Sequence, residues 1–452
     1  MRYSDCYNDL KKIIKREFGY EMAMSSSMAQ AIEVWSALME NEPAWADDYV
    51  HGNEIPATVA SEVARLAVLE FESDVVNDDY INEIYHEVQK NLGTYLEFAC
   101  GKGGMILKPY INGDEIIVSC VQADSFFPIR YNADMISTCA FLEQFREGKE
   151  IFTRIEIWDF DGSQLEIINK AFKSTQENRL GNEIDLESVE MWQGISPRAT
   201  FECDRMPFGY FRTPLANTVD NSSPLGISIF HRGIQDIARA DRMLAEIDWE
   251  YKSKESAIHI SDSLLKTNDD GQKVYPEGGK RLYRVLDYFT GATDKPLLEV
   301  FSPEIRNKSL FDGLNQIYKA IELKCYLSYG VLSDPNNTDK TAEEIRMSKQ
   351  RSYTIVTRIQ EALETCLIDM LNGIKFWGNL NGTIPLEDLE TSFEWGDSVL
   401  TDKDKDRQML LQEVSAGIRT KESYLMEVYG ITEEEAKALI PQTVTLFGDV
   451  NA

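Results

Sequence analysis

Residues 226–255 read GISIFHRGIQDIARADRMLAEIDWEYKSKE, and their apolar side chains recur every three or four positions. That spacing predicts a helix with one apolar stripe. The stripe consists of Ile227, Phe230, Ile234, Ile237, Ala240, Leu244, Ile247 and Tyr251, and the opposite face carries Arg232, Asp236, Arg239, Arg242, Glu246 and Glu250. A helix of about 30 residues would be roughly 45 Å long at 1.5 Å per residue. Such a helix needs a neighbour along its length, either from the same chain or from another copy.

A second apolar stripe predicts a returning helix over 303–329. Its members are Ile305, Leu310, Leu314, Ile317, Ile321 and Cys325, and Gly330 suits a helix C-cap. Between the two helices, residues 257–302 carry three short strand patterns, at 257–260, 282–286 and 297–301, with turn residues at 268–271. We therefore expect two antiparallel helices that carry a small α/β knob like a stalk.

The segment before this stalk combines helices with strands. Four helices are predicted in 1–100: the second is capped by the serines at 25–27, and the last two lie near 60–75 and 78–100. Residues 104–172 form a β-rich block with a strong hairpin turn at Asn112-Gly113. Residues 204–226 are punctuated by Pro, Gly and Asn and are interpreted as a connector.

The segment after the stalk begins with a polar loop at 330–341. Thr341 can cap a long helix that runs to about Trp377. The outer face of its first half carries the basic residues Arg346, Lys349, Arg351 and Arg358. Residues 391–395 predict a strand, and residues 403–438 predict two helices around Gly417. The fold class expected from all these patterns is α+β.

Charge and hydropathy exclude two classes of protein. The 452 residues contain 46 Lys plus Arg against 76 Asp plus Glu, a formal charge of −30. A protein that coats nucleic acid needs a basic surface instead. The sequence contains no run of roughly 18 apolar residues, so no membrane-spanning helix is predicted. The seven cysteines are widely spaced, which indicates reduced thiols in a cytosolic compartment.

A search for catalytic chemistry finds no motif. The four histidines do not form an H-E-x-x-H pair, and neither Gly101-Lys102 nor Gly279-Lys280 completes a P-loop. The Asp159–Gly162 segment lacks the remaining ligands of a calcium loop and reads better as a hairpin turn. We therefore predict no catalytic residue, no metal site and no cofactor.

Four segments resemble one family in order along the chain. They are GGMILKPY at 103–110 with ADSFFPI at 123–129, FGYFRTP at 208–214 with Asn217, SPLGISIF at 223–230, and DKTAEEI at 339–345. Through these segments the chain resembles the portal proteins of tailed bacteriophages, in the type found in phages of Gram-positive hosts. None of the segments is a catalytic signature, so the resemblance is carried by their combination.

The resemblance implies a portal fold and a ring, usually a dodecamer, at one vertex of the capsid. It implies a mainly helical wing, a two-helix stem, a small α/β clip, a long kinked helix and a short helical crown. In the order of the chain these are the wing 1–225, the stem helix 226–256, the clip 257–302, the stem helix 303–329, the tunnel loop 330–341, the long helix with its wing return 342–400, and the crown 401–452.

The resemblance also implies partners and site residues. Double-stranded DNA would pass through the channel in packaging and ejection. The terminase large subunit, a head–tail adaptor, and the major capsid and scaffold proteins would bind the ring, which would be assembled in the host cytoplasm and reside in the virion. The tunnel-loop residues expected to face DNA are Ser333, Asp334, Asn336, Asn337, Asp339 and Lys340. The clip residues expected to dock partners are Asn268, Asp269, Asp270, Lys280 and Arg281.

The residues themselves add three points to the resemblance. The striped helices need neighbours, which a ring supplies. The absent P-loop fits a conduit whose motor is a separate ATPase. The excess of acidic over basic residues fits a channel that must not bind the DNA that passes through it.

Two alternatives remain at this stage. One is another structural ring or head–tail adaptor of a virus particle, which would lack the stalk and knob. The other is an enzyme acting on a nucleic acid or glycan with scattered carboxylates, which predicts a concave site and one or two chains per particle.

Overall fold

The computed structural model describes most of the chain. The described residues are 3–132, 135–176, 179–254, 257–261, 266–271, 273–274, 283–286, 298–334, 342–382, 389–396, 410–429 and 431–440. The chain divides into two units, Met1–Phe393 and Glu394–Ala452. The larger unit interleaves helices with strands, which confirms the predicted α+β class.

The N-terminal helices are α1 Tyr3–Phe18, α2 Ser26–Met39, α3 Ile55–Val68 and α4 Asp79–Lys102. The predicted cap of α2 is confirmed, because the Ser25 hydroxyl accepts a hydrogen bond from the Met28 amide at 3.2 Å. The predicted helix over 60–75 is wrong in its second half, because β1 Phe71–Val75 is a strand. The Ser73 hydroxyl donates to the carbonyl of Ser392, 319 residues later. A pairing this distant leaves no local sequence signal.

Two antiparallel sheets follow α4. The strands are β2 Gly104–Asn112, β3 Glu115–Gln122, β4 Phe126–Asn132, β5 Met135–Glu147, β6 Glu150–Phe160, β7 Gln164–Ser174, β8 Asn182–Ile184, β9 Arg198–Glu202 and β10 Gly209–Arg212. One sheet has the order β10-β2-β3; the other runs β4-β5-β6-β7-β8, with β9 also on β7. The predicted β-rich block is confirmed. The predicted connector 204–226 contains β10, which the Pro/Gly pattern concealed.

The turn between β6 and β7 is the hairpin turn that the sequence predicts. The Asp161 carboxylate accepts hydrogen bonds from the amides of Ser163 and Gln164 at 2.9 and 2.8 Å. These bonds hold the pKa of Asp161 below its ordinary value. Gly162 adopts a φ of +108°, a conformation that favours glycine.

A helical hairpin carries a small sheet. The helices are α5 Ile234–Ser253 and α6 Asn307–Lys324, and the strands between them are β11 Ala257–Ser261, β12 Lys266–Thr267, β13 Lys273–Val274, β14 Tyr283–Leu286 and β15 Leu298–Phe301. β11 pairs with β14 in parallel and with β15 antiparallel. All three strands that the sequence predicts here are confirmed. Among the described residues of the knob, the regular secondary structure consists of strands.

Both hairpin helices are shorter than predicted. α5 has 20 residues, and residues 227–230 before it are not helical. α6 ends at Lys324 rather than near Gly330, with Cys325 as its C-cap. Tyr326 then takes a φ of +62°, so the helix terminates at a left-handed residue that is not a glycine.

The next elements are α7 Ala342–Leu380 and β16 Thr391–Trp395, both predicted from the sequence. α7 packs against β2 and β10. A Cβ on Gly209 would lie 2.1 Å from the carbonyl oxygen of Cys366, so this approach of strand to helix requires glycine. Strand β1 pairs with β16.

Aromatic side chains fill the core between the larger sheet and α7. The Trp158 ring lies 5.4 Å from that of Phe141, 5.9 Å from that of Phe208 and 6.2 Å from that of Trp377. Trp158 is 1% exposed. Burial of such large apolar groups is the main stabilising contribution to this region.

An ion pair lies inside this core. The Lys108 ammonium is 2.7 Å from the Glu156 carboxylate and 4.7 Å from the centre of the Phe141 ring. Trp158 Nε1 donates to the same carboxylate at 2.6 Å. Burial favours the neutral form of Glu156, but Lys108 and Arg154 outweigh it, and the pKa of Glu156 lies below its ordinary value.

The seven cysteines are free thiols. Cys120 and Cys203 are partly exposed, and the others are buried. Burial raises the pKa of Cys100, Cys120 and Cys325 to about 12. The wide spacing in the sequence therefore reflects separate core positions rather than disulfide pairs.

Beyond Glu394 and Trp395, the last two residues of β16, the smaller unit is helical in its described part. Residues 410–415 are helical, and the helices Lys421–Tyr429 and Glu433–Leu439 follow. Gly417 has a φ of +72°, which confirms the predicted turn between the first two. Thr432 and Glu435 form a capping box on the third. The sequence also predicts a turn at Gly430, which lies outside the described residues.

Candidate stem interface and loop anchor

Three of the four segments that carry the resemblance meet at one junction. The Thr213 amide donates to the Gly103 carbonyl at 3.1 Å, and the Thr213 hydroxyl donates to the Ile227 carbonyl. The Ile229 amide donates to the carbonyl of Cys100 at 2.9 Å. Residues 227–229 are thus attached to the end of α4, which explains why α5 begins later than its apolar stripe predicts.

The junction brings two glycines into backbone contact. Gly103 has a φ of +96°, and a Cβ there would lie 2.7 Å from the Gly226 oxygen. A Cβ on Gly226 would lie 2.2 Å from the Gly103 oxygen. Neither position has room for a side chain, so both need glycine.

Ion pairs fasten the two ends of the helical hairpin. The Glu250 carboxylate accepts from the Arg306 amide at 3.1 Å and from Arg306 Nη2 at 2.9 Å, and Lys254 Nζ lies 2.6 Å away. These partners, Arg306 above all, hold the pKa of Glu250 far below its ordinary value. At the other end, Asp236 pairs with Lys324 and with Arg239. The two contacts show that α5 and α6 run antiparallel.

Asp236 and Glu250 were expected on the exposed charged face, and that expectation is wrong. Each is 5% exposed. Their cationic partners Lys324 and Arg306 lie 88 and 56 residues away in the chain. Periodicity within one helix cannot show a partner on another helix, so the sequence pattern placed these carboxylates on the wrong side.

The hairpin covers part of its apolar surface and leaves part uncovered. Ile237, Ile247, Leu314 and Ile321 are buried. Trp249 is 65% exposed, Leu323 48% and Phe311 46%, and Tyr251 and Ile305 are also exposed. α6 therefore supplies the neighbour that the α5 stripe needs on one side, while large apolar groups remain in contact with solvent.

The turn after α6 is organised by one buried carboxylate. Glu322 is 0% exposed. Its Oε1 accepts from the amides of Gly330, Leu332 and Ser333 at 3.0, 2.8 and 2.8 Å. Its Oε2 accepts from the Ser333 hydroxyl at 2.8 Å. The beginning of the predicted tunnel loop is thus bound to α6.

The predicted site residues are described only in part. Ser333 is buried against Glu322, and Asp334 is exposed. The remaining predicted loop residues, Asn336, Asn337, Asp339 and Lys340, lie outside the described residues. Asn268, Asp269 and Asp270 are exposed together in the turn between β12 and β13, whereas Lys280 and Arg281 lie outside the described residues.

Sequence reasoning missed the anchoring residues Asn315 and Glu322. Both are buried, and they lie seven positions apart, each directly after a member of the apolar stripe, Leu314 or Ile321. Polar side chains that recur every seven residues beside an apolar stripe share its face of the helix. That recurrence is a signal that could have found them.

The described residues contain neither a candidate metal site nor a candidate membrane-spanning helix. They contain no group of three or more His, Cys, Asp or Glu side chains placed to hold a metal ion. Among the helices of the described part of the chain, none has both the length and the apolar character needed to cross a membrane.

Comparison with protein families identifies the chain. Residues 3–440 match the family described as "Phage portal protein, SPP1 Gp6-like". The chain belongs to this family, which is structural rather than catalytic. The family resemblance stated from the four segments is therefore confirmed.

Two solved structures are similar to this chain at low identity. One, "Virion of native gene transfer agent (GTA) particle", is 9% identical with a TM-score of 0.47, covering 94% of this chain and 99% of the other. The second, "Neck of native GTA particle computed with C12 symmetry", is 9% identical with a TM-score of 0.43, covering 87% and 92%. No curated protein matches the chain.

Proposed function

We propose that this protein is the subunit of a portal ring, a dodecamer at one capsid vertex, whose channel conducts double-stranded DNA during packaging and ejection. The observation that carries the proposal is the apolar surface left exposed on the α5–α6 hairpin. Membership of the portal family supports it. The place of action is the virion, after assembly in the host cytoplasm.

The exposed side chains favour burial between neighbouring copies. Trp249, Phe311 and Leu323 lie on two helices that already contact each other. Full burial of one large apolar side chain stabilises by about 1.5–3 kcal/mol. Copies that stand side by side around an axis would repeat this gain at every interface, and the same patch would be covered on each subunit.

The parts of the chain then take separate roles. Residues 1–225 form the wing, 226–256 and 303–329 the stem, 257–302 the clip, 330–341 the tunnel loop, 342–400 the long helix and wing return, and 401–452 the crown. The wing binds the major capsid and scaffold proteins. The clip binds the terminase large subunit and the head–tail adaptor through Asn268, Asp269, Asp270, Lys280 and Arg281.

The loop residues meet the DNA at the narrowest part of the channel. Asp334, Asn336, Asn337, Asp339 and Lys340 supply the contacts, and Ser333 holds the base of the loop against Glu322. The formal charge of −30 per chain keeps the phosphate backbone from adhering to the ring, because like charges repel.

A particle-mass measurement tests the ring. Phe311→Glu should abolish large discrete rings, because it places a charge in the subunit interface. Tyr49→Glu is the matched control, since Tyr49 is 78% exposed but lies outside the stem. If wild-type protein stays at one or two chains per particle, or if Phe311→Glu assembles normally, the proposal is wrong.

Packaging assays test the loop and the clip separately. Lys340→Ala should change DNA packaging and leave ring assembly intact; loss of the ring itself would contradict the loop assignment. Replacing 257–302 with a short Gly/Ser turn should leave rings that no longer bind terminase or adaptor. Retained binding by that shortened protein would show that the clip is not the docking surface.

A further inference from the structure

The turn between α6 and the predicted tunnel loop is held by hydrogen bonds to side chains of both α6 and α7. Beside the four hydrogen bonds to Glu322, Asn315 Oδ1 accepts from the Asp334 amide at 2.9 Å. From α7, the Ser352 hydroxyl donates to the Tyr326 carbonyl at 2.9 Å. Two residues with positive φ, Tyr326 and Gly330, lie within this turn. Residues 326–334 are therefore a defined structure rather than the start of a free loop.

Glu322 carries the largest share of these contacts. A buried carboxylate is unfavourable unless hydrogen bonds satisfy its oxygens. Here three amides and one hydroxyl from a single turn do so. Hydrogen bonds to an ionised acceptor are stronger than neutral ones. The stabilisation that keeps the carboxylate inside is thus the same stabilisation that holds the turn.

We propose that Glu322 is the positioning residue of the tunnel loop: its buried carboxylate fixes the point and direction at which the chain leaves α6 for the channel. The described contacts of this turn extend to the Asp334 amide, and Pro335, next in the sequence, disfavours a helical conformation at Asp334. The role in DNA passage rests on the proposed function, whereas the anchoring does not.

Amide hydrogen exchange of the assembled protein tests the anchoring. Glu322→Gln keeps the acceptor oxygen for the three amides but removes its charge, and hydrogen bonds to a neutral acceptor are weaker than those to an ionised one. The amides of Gly330, Leu332 and Ser333 should then exchange at least about 10-fold faster, while the amides of the wing strands keep their rates. Ser333→Ala removes the hydroxyl donor alone and should give a smaller increase at the same amides.

Glu246→Gln is the matched control, because Glu246 is exposed on the neighbouring helix α5 and loses the same charge. Unchanged exchange at the three amides in both Glu322→Gln and Ser333→Ala would overturn the anchoring. A uniform increase over the whole chain in both variants would also overturn it, because that result indicates a purely structural role.

DNA packaging by the same variants tests the consequence. Glu322→Gln rings should package DNA several-fold more slowly than Glu246→Gln rings of equal assembly. Normal packaging together with fast local exchange would show that the anchor does not position the loop for DNA. Failure of wild-type rings to package DNA would instead reject the proposed function and leave the exchange result standing.

Discussion

The proposed wing and the proposed stem differ in how far they bury their large apolar side chains. In the wing, Trp158 is 1% exposed and its indole nitrogen donates to Glu156. In the stem, Trp249 is 65% exposed, and the helices are fastened at their ends by Glu250–Arg306 and Asp236–Lys324. The proposed wing thus has its core within one chain, whereas the proposed stem keeps large apolar side chains in contact with solvent. Stability should therefore depend on wing residues and assembly on stem residues.

The largest expected effect comes from the two tryptophans. Trp158→Ala should lower the free energy of unfolding by about 3–5 kcal/mol, the usual cost of removing a large core aromatic. Trp249→Ala, measured on unassembled chains that carry Phe311→Glu, should change it by less than about 0.5 kcal/mol. Urea unfolding measures both. Equal losses in the two variants would remove the distinction between the regions.

The next effect comes from two lysines in ion pairs. Lys108→Met leaves Glu156 buried without its nearest cation and should cost about 3 kcal/mol. Lys252→Met breaks a pair with Asp248 whose side chains are each 74% exposed, and should cost less than about 0.5 kcal/mol. The same urea measurement applies, and a small cost for Lys108→Met would show that Arg154 alone is sufficient to stabilise the carboxylate.

The pH dependence of the stability lost in Lys108→Met gives a third test. The pKa of Glu156 is lowered in the folded wing, so its ionised form stabilises the fold above the ordinary pKa of about 4.3. This contribution disappears as the pH falls through the lower, folded-state pKa. The stability difference between wild type and Lys108→Met should therefore narrow below about pH 4. A difference that stays constant down to pH 2 would contradict the assigned charge state.

The smallest effect is expected at the open end of the stem. Glu250→Gln should speed amide exchange at Arg306, whose amide donates to Glu250 at 3.1 Å, without changing the unfolding of the wing. Because the pKa of Glu250 lies far below its ordinary value, wild-type protection at this amide should be the same at pH 4 as at pH 7. Protection that disappears near pH 4 would contradict the contact with Arg306.

Local patterns predicted most elements but not the contacts between distant ones. The hairpin at Asn112-Gly113, the strands of the β-rich block and the order helix, knob, helix are encoded in short-range periodicity and turn residues. Strand β1 was predicted as helix because its partner begins at Thr391. Strand β10 was concealed among prolines and glycines, because its strand conformation comes from pairing with β2.

The candidate site was predicted by resemblance more than by residues. The stem stripes were readable as amphipathic helices, and their exposed members Tyr251 and Ile305 belong to those stripes. The burial of the carboxylates of Asp236, Glu250 and Glu322 was not predicted, because whether a charged residue is buried depends on partners elsewhere in the chain. Ser333 was expected to face DNA, and the structure places it against Glu322.

The chemistry of the thiols has a practical consequence. Since the thiolate is the form that reacts with a maleimide, a thiol of pKa near 12 such as that of Cys100 is almost inert at neutral pH. Cys120 and Cys203 are partly exposed, and the pKa of Cys120 is also about 12, so Leu323→Cys in a chain that carries Cys203→Ser would offer a single reactive thiol on the proposed stem. A fluorescent dye attached there would report the arrival of a second subunit in real time.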